Sequence, residues 1–226
     1  MGRWEQGRSE WLRVGAWAKV SYRRQTTFES MLLGVLDNRD SFTYNLVHLL
    51  EPHFTFVRVR RCDDPSALSD LHDVDALVLS PGPGLPRESG FLMDVIADQF
   101  ERTPILGVCL GMQALAEFSG GRLLHTGTPR HGIARPITWT DADELQTGLP
   151  KEMPVGWYHS WVVNSLDLSD DWTLLATDHE GHLAAMRHAE LPIWAVQFHP
   201  ESVLTPQGST LLANWSMQCL NKNSYT

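Results

Sequence analysis

Short, almost wholly apolar runs alternate along the chain with stretches whose apolar residues recur every three to four positions. Met31–Leu36 is the first such run and stops at Asp37-Asn38; Thr43–Leu50 then places Leu46, Val47, Leu49 and Leu50 at helical spacing. Thr55–Val59 and Ala76–Leu79 read as two further strands, the second broken at once by Ser80-Pro81-Gly82-Pro83-Gly84. Phe91–Phe100 predicts a helix, Ile105–Val108 a strand, and Leu110–Phe118 a helix closed by Gly120-Gly121. Strands this apolar, alternating with helices, predict an α/β fold with a mostly parallel sheet covered on both faces. The second half is richer in Trp, Thr and Asp. Its runs Ile137–Thr140, Trp172–Ala176 and Leu183–Arg187 read as antiparallel strands, before a last strand, Ile193–Val196, and a closing helix, Ser209–Leu220.

Composition narrows the class. The chain has 226 residues, 42% hydrophobic and 20% charged, which suits a globular domain with a sizeable core. A net charge of −9 argues against nucleic acid as the main partner, and no apolar run approaches membrane-spanning length. Cys62, Cys109 and Cys219 are too few and too widely spaced for a disulfide framework, and no zinc-type spacing occurs. Free thiols in a reducing, cytoplasmic setting are the simplest expectation. Residues 1–30 stand apart, with six basic and three acidic residues, three tryptophans without periodicity and no apolar secretion core. Two readings fit them: a start placed upstream of the true first residue Met31, or a mobile tail or added helix. With no internal repeat or low-complexity linker, residues 31–222 are expected to form one domain.

Three segments carry candidate chemistry, each at a presumed strand end. Gly107-Val108-Cys109-Leu110-Gly111 runs from a strand into a helix with a residue flanked by glycines, the turn that exposes a nucleophile in esterases. There the positive end of the helix dipole favours a thiolate. Alone, the motif fits a nucleophile and a small buried cysteine equally well. Gln197-Phe198-His199-Pro200-Glu201-Ser202 supplies an imidazole and, two residues on, a carboxylate that an extended backbone projects to the same side. Ser80–Gly84 can turn N–H groups toward an oxyanion, with the Leu110 amide as second donor, although a plain Pro-Gly turn has the same pattern.

Together these segments resemble the class I glutamine amidotransferases, over essentially Leu32–Trp215. The resemblance implies a flavodoxin-like core, a Cys109-His199-Glu201 triad and an oxyanion loop at Gly82, Pro83 and Gly84 with Leu110. It also implies that Gln113 and the backbone at Ser160 and Trp161 hold the α-amino and carboxylate ends of glutamine. Asp37–Leu46, Tyr158-His159-Ser160-Trp161 and Glu201–Pro206 are similar to the small subunits of anthranilate synthase and aminodeoxychorismate synthase. Arg39, Trp157 and Ile133-Ala134 depart from that branch, at places that bear on partner docking rather than on the triad.

The implied activity is hydrolysis of L-glutamine, with no metal or cofactor in this chain. Ammonia released into neutral water becomes ammonium and loses its nucleophilicity. It must therefore pass by a dry route to a partner, and the resemblance implies that this partner is a separate chorismate-binding large subunit, itself holding Mg²⁺. Anthranilate synthase is the first expectation for that partner, with aminodeoxychorismate synthase, or a component shared by both, as the alternative. A regulatory scaffold on a degenerate amidotransferase fold is the non-enzymatic alternative. The joint presence of Cys109, His199, Glu201 and Gln113 argues against it.

Overall fold

Strands that are apolar on both faces need helices on both sides, and the chain supplies them. The computed structural model describes residues 31–221; both readings of residues 1–30 lie outside this range. Strands β1 (Leu32–Asp37), β2 (Phe56–Arg61), β3 (Ala76–Leu79), β4 (Ile105–Val108) and β11 (Ile193–Val196) form the parallel part of a nine-stranded sheet, in the order β2-β1-β3-β4-β11. Helices α1 (Thr43–Leu50), α2 (Ala67–Asp70), α3 (Leu92–Gln99) and α4 (Leu110–Phe118) follow β1 to β4 in turn.

Alternate strand residues feed two cores. Leu33, Val35, Ala76, Val78, Leu106, Val108 and Val196 face α1 and α5 (Gly208–Asn221), where Leu46, Leu50 and Trp215 meet them. Leu36, Leu77, Leu79, Ile105, Ile193 and Ala195 face the other helices through Ala67, Val95, Ile96 and Leu115. Each fully buried large apolar side chain stabilises the fold by about 1.5–3 kcal/mol.

The second half extends the same sheet. Beyond β11 come β10 (Leu183–His188), β9 (Trp172–Asp178), β6 (Ile133–Trp139) and β7 (Glu152–Trp157), all antiparallel to their neighbours. The β9–β10 register is irregular around Ala185, the kind of irregularity that sharpens twist. The extension bends until the end of β7 reaches the main sheet again, where Gly156 bridges His199 just beyond β11. A separate two-stranded sheet pairs β5 (Leu123–His125) with β8 (Trp161–Val163).

Boundaries differ from the pattern in instructive ways. The run Ile137–Thr140 overlaps only the end of a strand that runs from Ile133 to Trp139, because Ala134–Pro136 are exposed and show no alternation. β7, β5, β8 and the one-turn α2 fall outside the predicted elements. Tyr158–Ser160 form the connection between β7 and β8, and Trp161 opens β8.

Candidate active site

Parallel strands bring their C-terminal ends to one edge, and β1, β3, β4 and β11 deliver Asn38, Ser80, Cys109 and Gln197 there. Cys109 has φ +52° and ψ −101°, an unusual backbone state for a residue with a Cβ and one that concentrates at functional turns. The turn is held from both sides. The Cys109 N–H donates to the Val196 carbonyl at 2.8 Å, and the Cys109 carbonyl accepts from the Gln113 N–H at 3.1 Å. Gly111 lies so close to β3 that a Cβ there would strike the Leu79 carbonyl, so the helix can start at this place only with glycine.

Gln113 projects from the first turn of α4 and is buried. Its Nε2 donates to the Trp161 carbonyl at 2.9 Å and to Gln197 Oε1 at 3.2 Å; Gln197 Nε2 in turn donates to the Cys109 sulfur at 3.6 Å. Ser160 is tied down beside it, its carbonyl accepting from the Thr126 N–H at 2.9 Å. Gln113, Trp161 and the thiol are thus one connected unit.

His199 and Glu201 meet through Nδ1 and Oε1 at 2.7 Å, both buried. The route differs from the extended segment expected. Pro200 and Glu201 sit in a turn closed by the Ser202 N–H on the His199 carbonyl at 3.2 Å, which folds the carboxylate back onto the ring. The His199 N–H donates to the Gly156 carbonyl at 3.0 Å, and the Thr205 hydroxyl donates to the His199 carbonyl at 2.7 Å. The Gly156 N–H completes the lock on Thr205 Oγ1 at 2.9 Å. Phe42 and Tyr158 wall the ring, with centroids 6.0 and 4.8 Å away, and the Tyr158 hydroxyl lies 3.1 Å from Ser202 Oγ.

Electrostatics separate the two neighbouring histidines. Burial pulls the His199 imidazole down, but the Cys109 thiol and the Glu201 carboxylate outweigh it and push its pKa up to about 10. In His159, burial acts first, reinforced by Arg130 and His199, and the pKa falls to about 4. At neutral pH, His199 is therefore an imidazolium and His159 a neutral ring.

The Ser80–Gly84 loop lies against the same helix. A Cβ on Gly82 would stand 2.7 Å from Leu110 Cδ2, and Leu110, as the first helical residue, has an N–H without a partner inside the helix. Pro83 and Gly84 are exposed further along the loop, Gly84 with φ +76°. Gln197 and Asn38 also lie at this edge, in contact with Cys109 and Ser80, although the sequence motifs give neither a role. Both lie just past a strand end, Gln197 two positions before His199 and Asn38 within the segment Asp37–Leu46, but neither position by itself announces a role. The three departures are accounted for structurally. Trp157 is buried under the Arg130 guanidinium, 5.5 Å from its ring; Ile133 and Ala134 pair with Trp157 and Gly156; Arg39 takes φ +64° after Asn38.

A fold with a strained cysteine at a strand–helix turn and a His–Glu pair across the sheet edge is that of the class I glutamine amidotransferases. The model of that family, described as glutamine amidotransferase class-I, matches residues 34–219, and the chain belongs to it. Among its relatives, anthranilate synthase component 2 of Haemophilus influenzae is 42% identical over 192 residues, 83% of this chain and 97% of that one. Aminodeoxychorismate synthase component 2 of Escherichia coli is 40% identical over 186 residues, covering 80% and 97%. A crystal structure from Thermoplasma acidophilum, assigned to the GMP synthases, superimposes with a TM-score of 0.76 at 28% identity, over 86% of this chain and 96% of that one.

Proposed function

We propose that this chain is the glutaminase subunit of a two-component chorismate-using synthase, with anthranilate synthase as the first assignment. The observation that carries the reading is the convergence of Cys109, its partner Gln197, and the 2.7 Å His199–Glu201 pair at one sheet edge. In the proposed reaction the Cys109 thiolate attacks the side-chain carboxamide carbon of L-glutamine. The resulting oxyanion is met by N–H groups of the Gly82–Gly84 loop and of Leu110. His199, protonated at neutral pH, gives its proton to the departing nitrogen, and ammonia leaves a thioester. Water, deprotonated by the now neutral His199, adds to the thioester carbon; glutamate leaves and the thiolate is restored with an imidazolium beside it. Glu201 orients the ring and stabilises its charge. No step uses a metal or organic cofactor of this chain.

Gln113 and the Ser160-Trp161 backbone are assigned to the amino-acid end of glutamine, with Gln113 already joined to the Trp161 carbonyl by a hydrogen bond. Ammonia must reach its acceptor before it is protonated, so a separate large subunit is the proposed recipient, with any Mg²⁺ bound there. Aminodeoxychorismate synthase is the second reading, favoured by a relative almost as similar as the first. Cys109→Ala tests the function: product formed from glutamine should vanish while product formed from ammonia persists in the reconstituted pair. Glutamine-dependent output that survives the substitution refutes it. Pairing with each large subunit in turn distinguishes the two assignments.

A further inference from the structure

We propose that Asn38 is a positioning residue for the oxyanion loop, clamping its base so that the loop's N–H groups face the thiol. This rests on the assignment of residues 80–84 to oxyanion binding. Asn38 is 1% exposed and directly follows β1. Its Nδ2 donates to the Ser80 carbonyl at 2.8 Å, and its backbone N–H donates to Ser80 Oγ at 2.8 Å. The same Ser80 hydroxyl donates onward to the Pro81 carbonyl at 2.7 Å. The residue that follows β1 thus grips the residue that follows β3, from both its side chain and its backbone.

The grip reaches the loop itself. A Cβ on Gly82 would stand 2.6 Å from Asn38 Cβ and 2.7 Å from the Asn38 carbonyl, while Leu110 Cδ2 presses from the helix side at 2.7 Å. Gly82 is therefore wedged between Asn38 and the residue after the nucleophile, and any movement of Asn38 moves the loop relative to Leu110.

Asn38 is in turn held rigidly. Asp37 Oδ1 accepts from the Arg39 N–H at 2.9 Å, the Asp40 N–H at 3.3 Å and the Thr43 hydroxyl at 2.8 Å, and the Asp37 carbonyl accepts from the Cys62 N–H at 2.8 Å. The φ of +64° at Arg39 is the left-handed state that completes this turn. The other half of the Asn38 amide, Oδ1, is buried with no hydrogen bond.

The test uses the full chain. Asn38→Asp keeps the shape but sets a carboxylate oxygen against the Ser80 carbonyl, and Ser80→Ala removes the other half of the grip. Both should lower kcat for glutamine hydrolysis roughly a hundredfold, the scale of losing an oxyanion donor, with KM changed less than about threefold. Alkylation of Cys109 by iodoacetamide builds no oxyanion, so its rate should be unchanged. An unchanged kcat overturns the proposal; so does a parallel loss of hydrolysis and alkylation in both variants, which means the site has collapsed. Hydrolysis that survives Cys109→Ala in the otherwise unaltered chain would instead refute the glutaminase reading itself.

Discussion

Gln113 and Gln197 share a 3.2 Å hydrogen bond although 84 residues of chain separate them, and through it the first turn of α4 is tied to the sulfur of Cys109. Gln197→Leu keeps most of the volume and removes both polar contacts. We expect kcat/KM for glutamine to fall about tenfold, the equivalent of one net hydrogen bond of ~1.4 kcal/mol, with most of the loss in kcat. Steady-state glutamate release measures it, and an unaltered kcat would reduce Gln197 to packing.

Thr205 links Gly156 and His199 with a single hydroxyl. Thr205→Val has the same shape but strands the buried Gly156 N–H and removes one of the two hydrogen bonds to the His199 carbonyl, which keeps the Ser202 N–H, for an expected loss of about 1–3 kcal/mol in urea unfolding. Thr205→Ser should recover most of this. Equal stability of the Val and Ser variants would show that the methyl group, not the hydroxyl, matters here.

The two histidines predict opposite pH dependences of stability. His199 has a folded pKa of about 10 against 6.5, so it keeps a proton the unfolded chain would release. Its contribution is complete below pH 6.5 and is lost as pH rises toward 10. His159 has a folded pKa of about 4 against 6.5, so folding refuses a proton the unfolded chain takes. Its contribution, about 3 kcal/mol in all, holds above 6.5 and drains as pH falls toward 4. Chemical denaturation at about pH 5, 7 and 9 should show a maximum in the middle. His159→Gln should flatten the acid limb and His199→Gln the alkaline one. Limbs unaffected by either substitution would refute the assignments.

Arg130 is buried against Asp178 at 2.6 Å and Glu180 at 2.8 Å, and it also stacks on Trp157. Burial pushes the Asp178 carboxyl up, but Arg130 and the His182 N–H more than offset this and hold it below the usual range. Arg130→Ala would strand that carboxylate at a cost of about 3–5 kcal/mol, read as a lowered unfolding midpoint. A midpoint within error of the unaltered chain would contradict the ion pair's structural role.

Ala76–Leu79 and Ile105–Val108 were legible because strands buried on both faces leave no polar alternative, and the cysteine and histidine motifs were legible because they follow such strands. β7 was not, because Pro154 and Gly156 interrupt its alternation, and Gly156 is there for the close approach of Ser202 Oγ, 2.9 Å from a Cβ at that position. α2, with four residues, is too short to show a period, and β5 and β8, with three each, too short to show an alternation. The His199–Glu201 contact was anticipated from the wrong backbone geometry: local spacing brings the pair together equally well through a turn. Asn38 could not be found locally at all, since its importance lies in Ser80, 42 residues away.

Strand β11, which leads directly into Gln197 and His199, enters the sheet between β4 and β10, both earlier in the chain. A chain that stops short of residues 193–196 leaves the facing edges of β4 and β10 without a partner. Such a chain holds Cys109 but not His199, so truncating or permuting the protein near this last insertion trades a finished pocket for two sticky edges.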